Sequence, residues 1–75
     1  MFEQLKEMIM NYVDAQEDVI TPDARFIEDL HFNSYDFMSF LGEVEDTFEI
    51  TVEESDVLEL RTVGDAAAYI EKLKG

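Results

Sequence analysis

Seventy-five residues make one small domain, and a chain of that size buries only about 60% of its unfolded surface. Residues 1–75 are therefore read as a single unit with one modest core and no deep enzyme cleft, while 47% apolar content with six Phe sets disorder aside. Nineteen acids against five Lys and Arg give a net charge of −14, a field that repels nucleic acid and anionic membranes and attracts basic partner surfaces.

The chain has no Cys, so there is no disulfide framework and no Cys-based metal site. No apolar run approaches membrane-spanning length, and no basic-then-apolar leader pattern opens the chain. The expectation is a soluble, cytoplasmic, monomeric protein with no membrane insertion and no nucleic-acid partner.

Taken in order, Phe2, Leu5, Ile9, Tyr12 and Val13 fall on one arc at helical spacing. They predict a first helix from Phe2 to about Ala15, with Met8 and Met10 off the arc as partly covered surface. Asp14 to Phe32 has no sustained period and reads as a long loop. Ile20, Phe26 and Leu30 would pin it to the core, with Ile27 a further candidate, and Pro22 after Thr21 would start a turn. Asn33 is a good N-cap for a helix from Ser34 to Phe48. Phe37, Phe40, Leu41, Val44 and Phe48 share its core-facing stripe. Tyr35 and Met38 fall on another side, beside Glu45 and Asp46, so the helix has two faces.

Glu49 to Val52 reads as a connector. Glu53 to about Glu59 reads as a brief helix that carries Val57 inward, with Leu58 as a possible helper and a capping box from Thr51 to Glu54 or a shifted start. Leu60 anchors the next turn. Thr62 with Asp65 is a second capping-box pair for a last helix from Val63 to Lys74, whose Ala66, Ala67, Ile70 and Leu73 share one face and whose Lys72 and Lys74 suit its negative end. The pattern predicts an all-α fold: three main helices plus one short helix, with a long first loop. The expected core is Phe2, Leu5, Ile9, Val13, Phe26, Leu30, Phe37, Leu41, Val44, Phe48, Val57, Leu60, Val63, Ala67 and Ile70.

No constellation here can catalyse a reaction alone. His31 precedes Ser34 closely, and Asp29 or Asp36 could orient it, yet nothing supplies an oxyanion hole and the chain offers no pocket that excludes water. An exposed loop His is the expectation, and the catalytic set is empty. The acids lack the spacing of a calcium loop. Weak divalent binding among Glu45, Asp46, Glu49, Glu53 and Glu54 is expected, without a dedicated metal site.

Asp29-Leu30-His31-Phe32-Asn33-Ser34-Tyr35-Asp36 resembles the phosphopantetheine attachment motif of acyl carrier proteins. In that family an acidic residue and Leu, two variable residues and Asp-Ser-Leu open the second helix. The resemblance runs without a gap from Ile20 to Ile70 and takes in Phe26-Ile27-Glu28-Asp29-Leu30, Phe48 and Thr62-Val63. Asn33 stands where the family has Asp, and Tyr35 where it has Leu. The resemblance implies a small four-helix bundle of acyl-carrier type, with a covalent 4′-phosphopantetheine arm on Ser34 that holds acyl groups as thioesters. It also implies a phosphopantetheinyl transferase as partner, and acyl-transfer and chain-building enzymes with basic docking patches.

By the same resemblance, Asn33, Tyr35, Asp36, Met38, Glu43, Glu45 and Asp46 are the candidate partner-recognition residues. Charge would steer the encounter, and Tyr35 and Met38 would seat the partner. Phe37 and Phe40 are large for positions that line the acyl space of fatty-acid carriers, which implies a smaller or filled pocket and short, polar or exposed cargo. Fatty acid synthesis and a specialised acyl pathway, polyketide-like or other, both stay open. So do two further readings: an unmodified carrier-like acidic adaptor, and a peptidyl or aryl carrier.

Overall fold

The computed structural model describes residues 1–74. Four helices follow in order: α1 (Phe2–Met10), α2 (Ser34–Phe48), α3 (Glu54–Val57) and α4 (Val63–Lys74), with a single 3₁₀ turn at Glu17–Val19 in the first loop. Among the described residues there is no strand, only an isolated antiparallel bridge between Arg25 and Thr62. The all-α bundle with three longer helices, a short one and a long first loop is as the pattern predicts.

Helix α1 stops about a turn and a half earlier than its apolar spacing predicts. The Asn11 and Tyr12 N–H groups close tight bonds to the carbonyls of Met8 and Ile9, 3.1 and 2.9 Å long. Tyr12 explains the stop. Its ring lies 6.1 Å from that of Phe32 and 5.9 Å from that of Phe40, and its hydroxyl donates to Glu43 Oε1 at 3.0 Å. Tertiary contact draws this residue toward α2 and overrides the helical period.

The long loop is fastened by its backbone. The Ala24 N–H bonds Thr21 O at 3.0 Å, closing the turn with Pro22 as its second residue. The Phe26 N–H reaches Arg61 O, and the Val63 and Gly64 N–H groups reach Ala24 O and Pro22 O at 3.0 and 2.8 Å. The loop thus lies against the start of α4, and Ile20, Ala24, Phe26, Leu30 and Phe32 are all buried. Ile27 instead is half exposed.

The core gathers Leu5, Ile9, Phe26, Leu30, Phe37, Leu41, Val44, Phe48, Leu60, Val63 and Ile70, as expected, and Phe40 of the α2 stripe joins them. Phe2, Val13, Val57 and Ala67 only pack against its edge, whereas Met8, Phe32 and Ala66 are buried within it. Met8 is covered beside Leu5 and Ile9, while Met10 at the end of α1 stays exposed. The rings of Phe26, Phe32, Phe37 and Phe40 stand 5.0 to 6.2 Å apart, so the upper interior is packed with aromatic rings.

The caps explain where the helices begin and end. Asn33 Oδ1 accepts from the Asp36 N–H at 2.7 Å, and α2 ends on Glu49, left-handed at φ 56° and ψ 48°. Lys74 Nζ donates to Phe48 O at 3.2 Å, so a cation of α4 meets the negative end of α2. Thr62 and Asp65 form the reciprocal box at the start of α4, with bonds of 3.2 and 3.0 Å.

The box proposed for Thr51 and Glu54 does not form: the N-cap of α3 is Glu53, without a side-chain cap. Tyr69 of α4 does that work from outside. Its hydroxyl accepts from the Glu53 N–H at 3.3 Å and donates to Asp56 Oδ2 at 2.8 Å. Helix α3 is a single turn, shorter than predicted, and Leu58 just beyond it points outward, 80% exposed.

Candidate functional site

Ser34 is the first residue of α2 and is exposed. The first N–H groups of a helix lack intrahelical partners, and here Asn33 occupies only that of Asp36. The N–H groups of Ser34 and Tyr35 remain turned toward the positive end of the helix, a favourable place for an anionic group.

Beside Ser34 runs an open groove of about 550 Å³. Ser34, Phe37 and Met38 form the α2 wall, Val57, Leu58, Leu60 and Arg61 the opposite wall, and Arg25, Ile27 and Glu28 one end. Phe37, 9% exposed, closes it on the core side. Ile27, Met38 and Leu58 rim it at 51%, 54% and 80% exposure, and Tyr35 stands next to Ser34 at 80%. A second groove of about 260 Å³ lies between α2 and α3, on Leu41, Gly42, Glu45, Val52 and Glu54, and shares Met38 and Val57 with the first.

The structure divides the acids of α2. Asp46 is exposed, and Asp36 is partly covered, its Oδ2 meeting Asn33 Nδ2 at 3.3 Å. Glu43 and Glu45 are half buried and hold internal bonds: Glu43 to the Tyr12 hydroxyl, and Glu45 Oε2 to the Val52 N–H at 2.9 Å. Those four carboxylates are therefore unequally open to solvent. Among the described residues no three acidic or His side chains converge on a metal position, and Glu45 is spent on the connector. His31 is exposed, in a left-handed conformation at φ 62°.

Arg25 braces the end of the groove. Its Nε and Nη2 donate to the two oxygens of Asp29 at 3.1 and 3.3 Å, and it pairs with Glu28. The side-chain and backbone hydrogen bonds from Arg25 hold the Asp29 carboxyl below the usual carboxylate range. Sequence periodicity did not flag Ile27, Leu58, Arg25 or Arg61 as parts of the site. Leu58 gave one signal: it follows Val57 directly, at the end of a stretch predicted to form only a brief helix.

The family profile described as "Phosphopantetheine attachment site" matches residues 3–70. An acyl carrier protein of Borreliella burgdorferi (strain ZS7) is 38% identical over 74 residues, 99% of this chain and 92% of that protein. An acyl carrier protein of Akkermansia muciniphila is 36% identical over 73 residues, 97% and 91% of the two chains. A solved structure, described as revealing structural components behind the high thermal stability of the acyl carrier protein from Enterococcus faecalis, superposes with a TM-score of 0.84. It is 29% identical and covers 96% of this chain and 91% of its own.

A bundle with an exposed Ser at the head of its second helix, a groove alongside and this match over nearly its whole length define a carrier. The chain belongs to the acyl carrier protein family. Phosphopantetheine is that family's cofactor, its members are non-catalytic carriers, and they meet a phosphopantetheinyl transferase and acyl-handling enzymes. Among the described residues no helix is long and apolar enough to cross a membrane.

Proposed function

We propose that this chain is a discrete acyl carrier of the cytoplasm, with Ser34 as the attachment residue. The observation that carries the reading is the exposed Ser34 at the positive end of α2, at the head of a groove with apolar walls. The arm supplies a terminal thiol for thioester formation, and this chain has no Cys thiol of its own to compete with it. What the chain itself contributes is position: Asn33 fixes the first turn through Asp36, and Phe37 backs the groove.

The docking face we assign is Tyr35 and Met38 of α2 with Ile27 and Leu58 across the groove, flanked by Asp36 and Asp46. Exposed apolar side chains beside carboxylates suit an enzyme patch that is basic around an apolar centre. Glu43 and Glu45 contribute field and local structure, since each already holds an internal bond.

Between fatty acid synthesis and a specialised acyl route, the packing favours the specialised one. Phe26, Phe32, Phe37 and Phe40 occupy the interior next to α2, and a long chain would have to displace rings that stand 5.0 and 5.6 Å from one another, which costs energy. Short or polar acyl groups need only the open groove.

Intact-protein mass tests the attachment. After incubation with coenzyme A, magnesium and a broad-specificity phosphopantetheinyl transferase, the protein gains one phosphopantetheinyl group, and Ser34→Ala gains none. A folded protein that gains nothing with several transferases overturns the reading and leaves an unmodified acidic adaptor, with Asn33 and Tyr35 as the first residues to revert.

A further inference from the structure

Five Lys and Arg side chains serve this chain against nineteen acids. Two of the five, Arg25 and Arg61, line the same groove beside Ser34. The fold places them together. Arg25 bridges Thr62, and Arg61 O accepts the Phe26 N–H at 3.0 Å, so the two arginines lie diagonally on adjacent segments. Their charges are not equally free. Arg25 is bound to Asp29 and Glu28, and Glu28 is the one carboxylate that lines the groove. Arg61 is exposed and forms no ion pair among the described residues. The lining thus retains one uncompensated guanidinium, in a molecule whose overall field would drive anions away.

We propose that Arg61 is the anion-receiving residue of this groove, and that it takes an anionic oxygen group carried on the arm. This rests on attachment at Ser34. Two groups have the required chemistry: the phosphodiester next to Ser34, and a carboxylate that ends a short acyl group. A guanidinium offers paired N–H donors that match either one. Val57, Leu58, Leu60 and Phe37 line the rest of the groove and take the apolar middle of the arm or cargo. The selectivity that follows concerns the distal end of the cargo: between acyl groups of equal length, the one ending in a carboxylate stays in the groove and the neutral one leaves it.

The test compares apo protein, the phosphopantetheinyl form, and that form carrying butyryl or succinyl. The readout is the Arg61 side-chain Nε–H NMR resonance, assigned with Arg61→Gln. A shift in every loaded form relative to apo supports the proposal with the phosphodiester as source. A shift confined to the succinyl form, lost in high salt, supports it with the cargo carboxylate as source. In that second case Arg61→Gln speeds hydrolysis of the succinyl thioester, whose released carboxylate can then attack its own thioester carbonyl and expel the thiol as the cyclic anhydride closes, by a factor of about two to five, as suits an exposed ion pair, and leaves the butyryl rate unchanged. An Arg61 resonance unchanged in all forms that mass shows to be loaded overturns the proposal. Loading is read by mass and Arg61 by its resonance, so the two failures are distinct. If Ser34 does not load, titration of the apo protein with free 4′-phosphopantetheine decides instead: a saturable Arg61 shift supports the proposal, and no shift overturns it.

Discussion

Single side chains brace the walls of the groove, and Tyr69, which holds α3, has the clearest energetic signature among them. One hydroxyl replaces the missing N-cap of α3 and reaches Asp56 as well. Burial first, and then the hydrogen bond to Asp56, raise its pKa above the ordinary 10.0. A raised folded pKa means that the stability it contributes is full below pH 10.0 and is lost as pH rises through the folded value. Tyr69→Phe is expected to cost about 1 kcal/mol at neutral pH, to flatten part of the alkaline loss of stability, and to speed amide exchange in α3. Denaturant melts at neutral and alkaline pH, with hydrogen exchange, check all three. Sequence could not disclose this bond, because Tyr69 meets Glu53 and Asp56 only after α4 folds back. Asn33 and the pair Thr62 and Asp65, by contrast, were legible: their partners lie within one turn, so spacing alone specifies them.

At the scale of elements, apolar period located α2 and α4 to within a residue and misjudged α1 and α3. Period reports which side chains can share a face, and says nothing of a residue pulled sideways by a tertiary contact, as Tyr12 is by Glu43. The same blindness made Leu58 a helper to Val57 in facing inward, where it stands 80% exposed. The long loop was legible in its pins and illegible in its seat. Its seat depends on Gly64, whose N–H bonds Pro22 O at 2.8 Å and where an added Cβ would stand 2.9 Å from that same oxygen. Backbone cannot yield cheaply there, so Gly64→Ala is expected to destabilise by about 1–3 kcal/mol. Chemical denaturation measures the loss, and a neutral result would mean that the loop shifts freely against α4. The groove stood outside the reach of period altogether, since its walls come from three separate stretches of chain.

For the whole molecule, charge is the dominant long-range term. A net charge of −14 on a body only 29 × 23 × 19 Å across pushes against the compact state. Lys6 links Glu3 with Glu17 at 3.5 and 3.3 Å, and Arg25 links Glu28 with Asp29, which leaves most acids uncompensated. Added sodium chloride or magnesium chloride screens that repulsion. The melting temperature is expected to rise with either salt, and each 1 kcal/mol regained moves it by about 4–8 °C in a domain of this size. A scanning calorimetry series at fixed pH is the check, and a flat series would show that the acids are already balanced by their spacing. The sign of the charge was plain from composition, while its distribution was not: composition cannot reveal that Glu43 and Glu45 look partly inward.

The exposure of Tyr35 gives the protein a built-in optical reporter. The chain has no Trp and three Tyr, so its intrinsic emission is tyrosine emission. Tyr12 and Tyr69 are half buried with their hydroxyls bonded to carboxylates, whereas Tyr35 stands free beside Ser34. A neutral collisional quencher such as acrylamide, which the anionic field does not exclude, samples Tyr35 preferentially. Covering of the first turn of α2 becomes readable in unlabelled protein as the loss of that quenchable fraction.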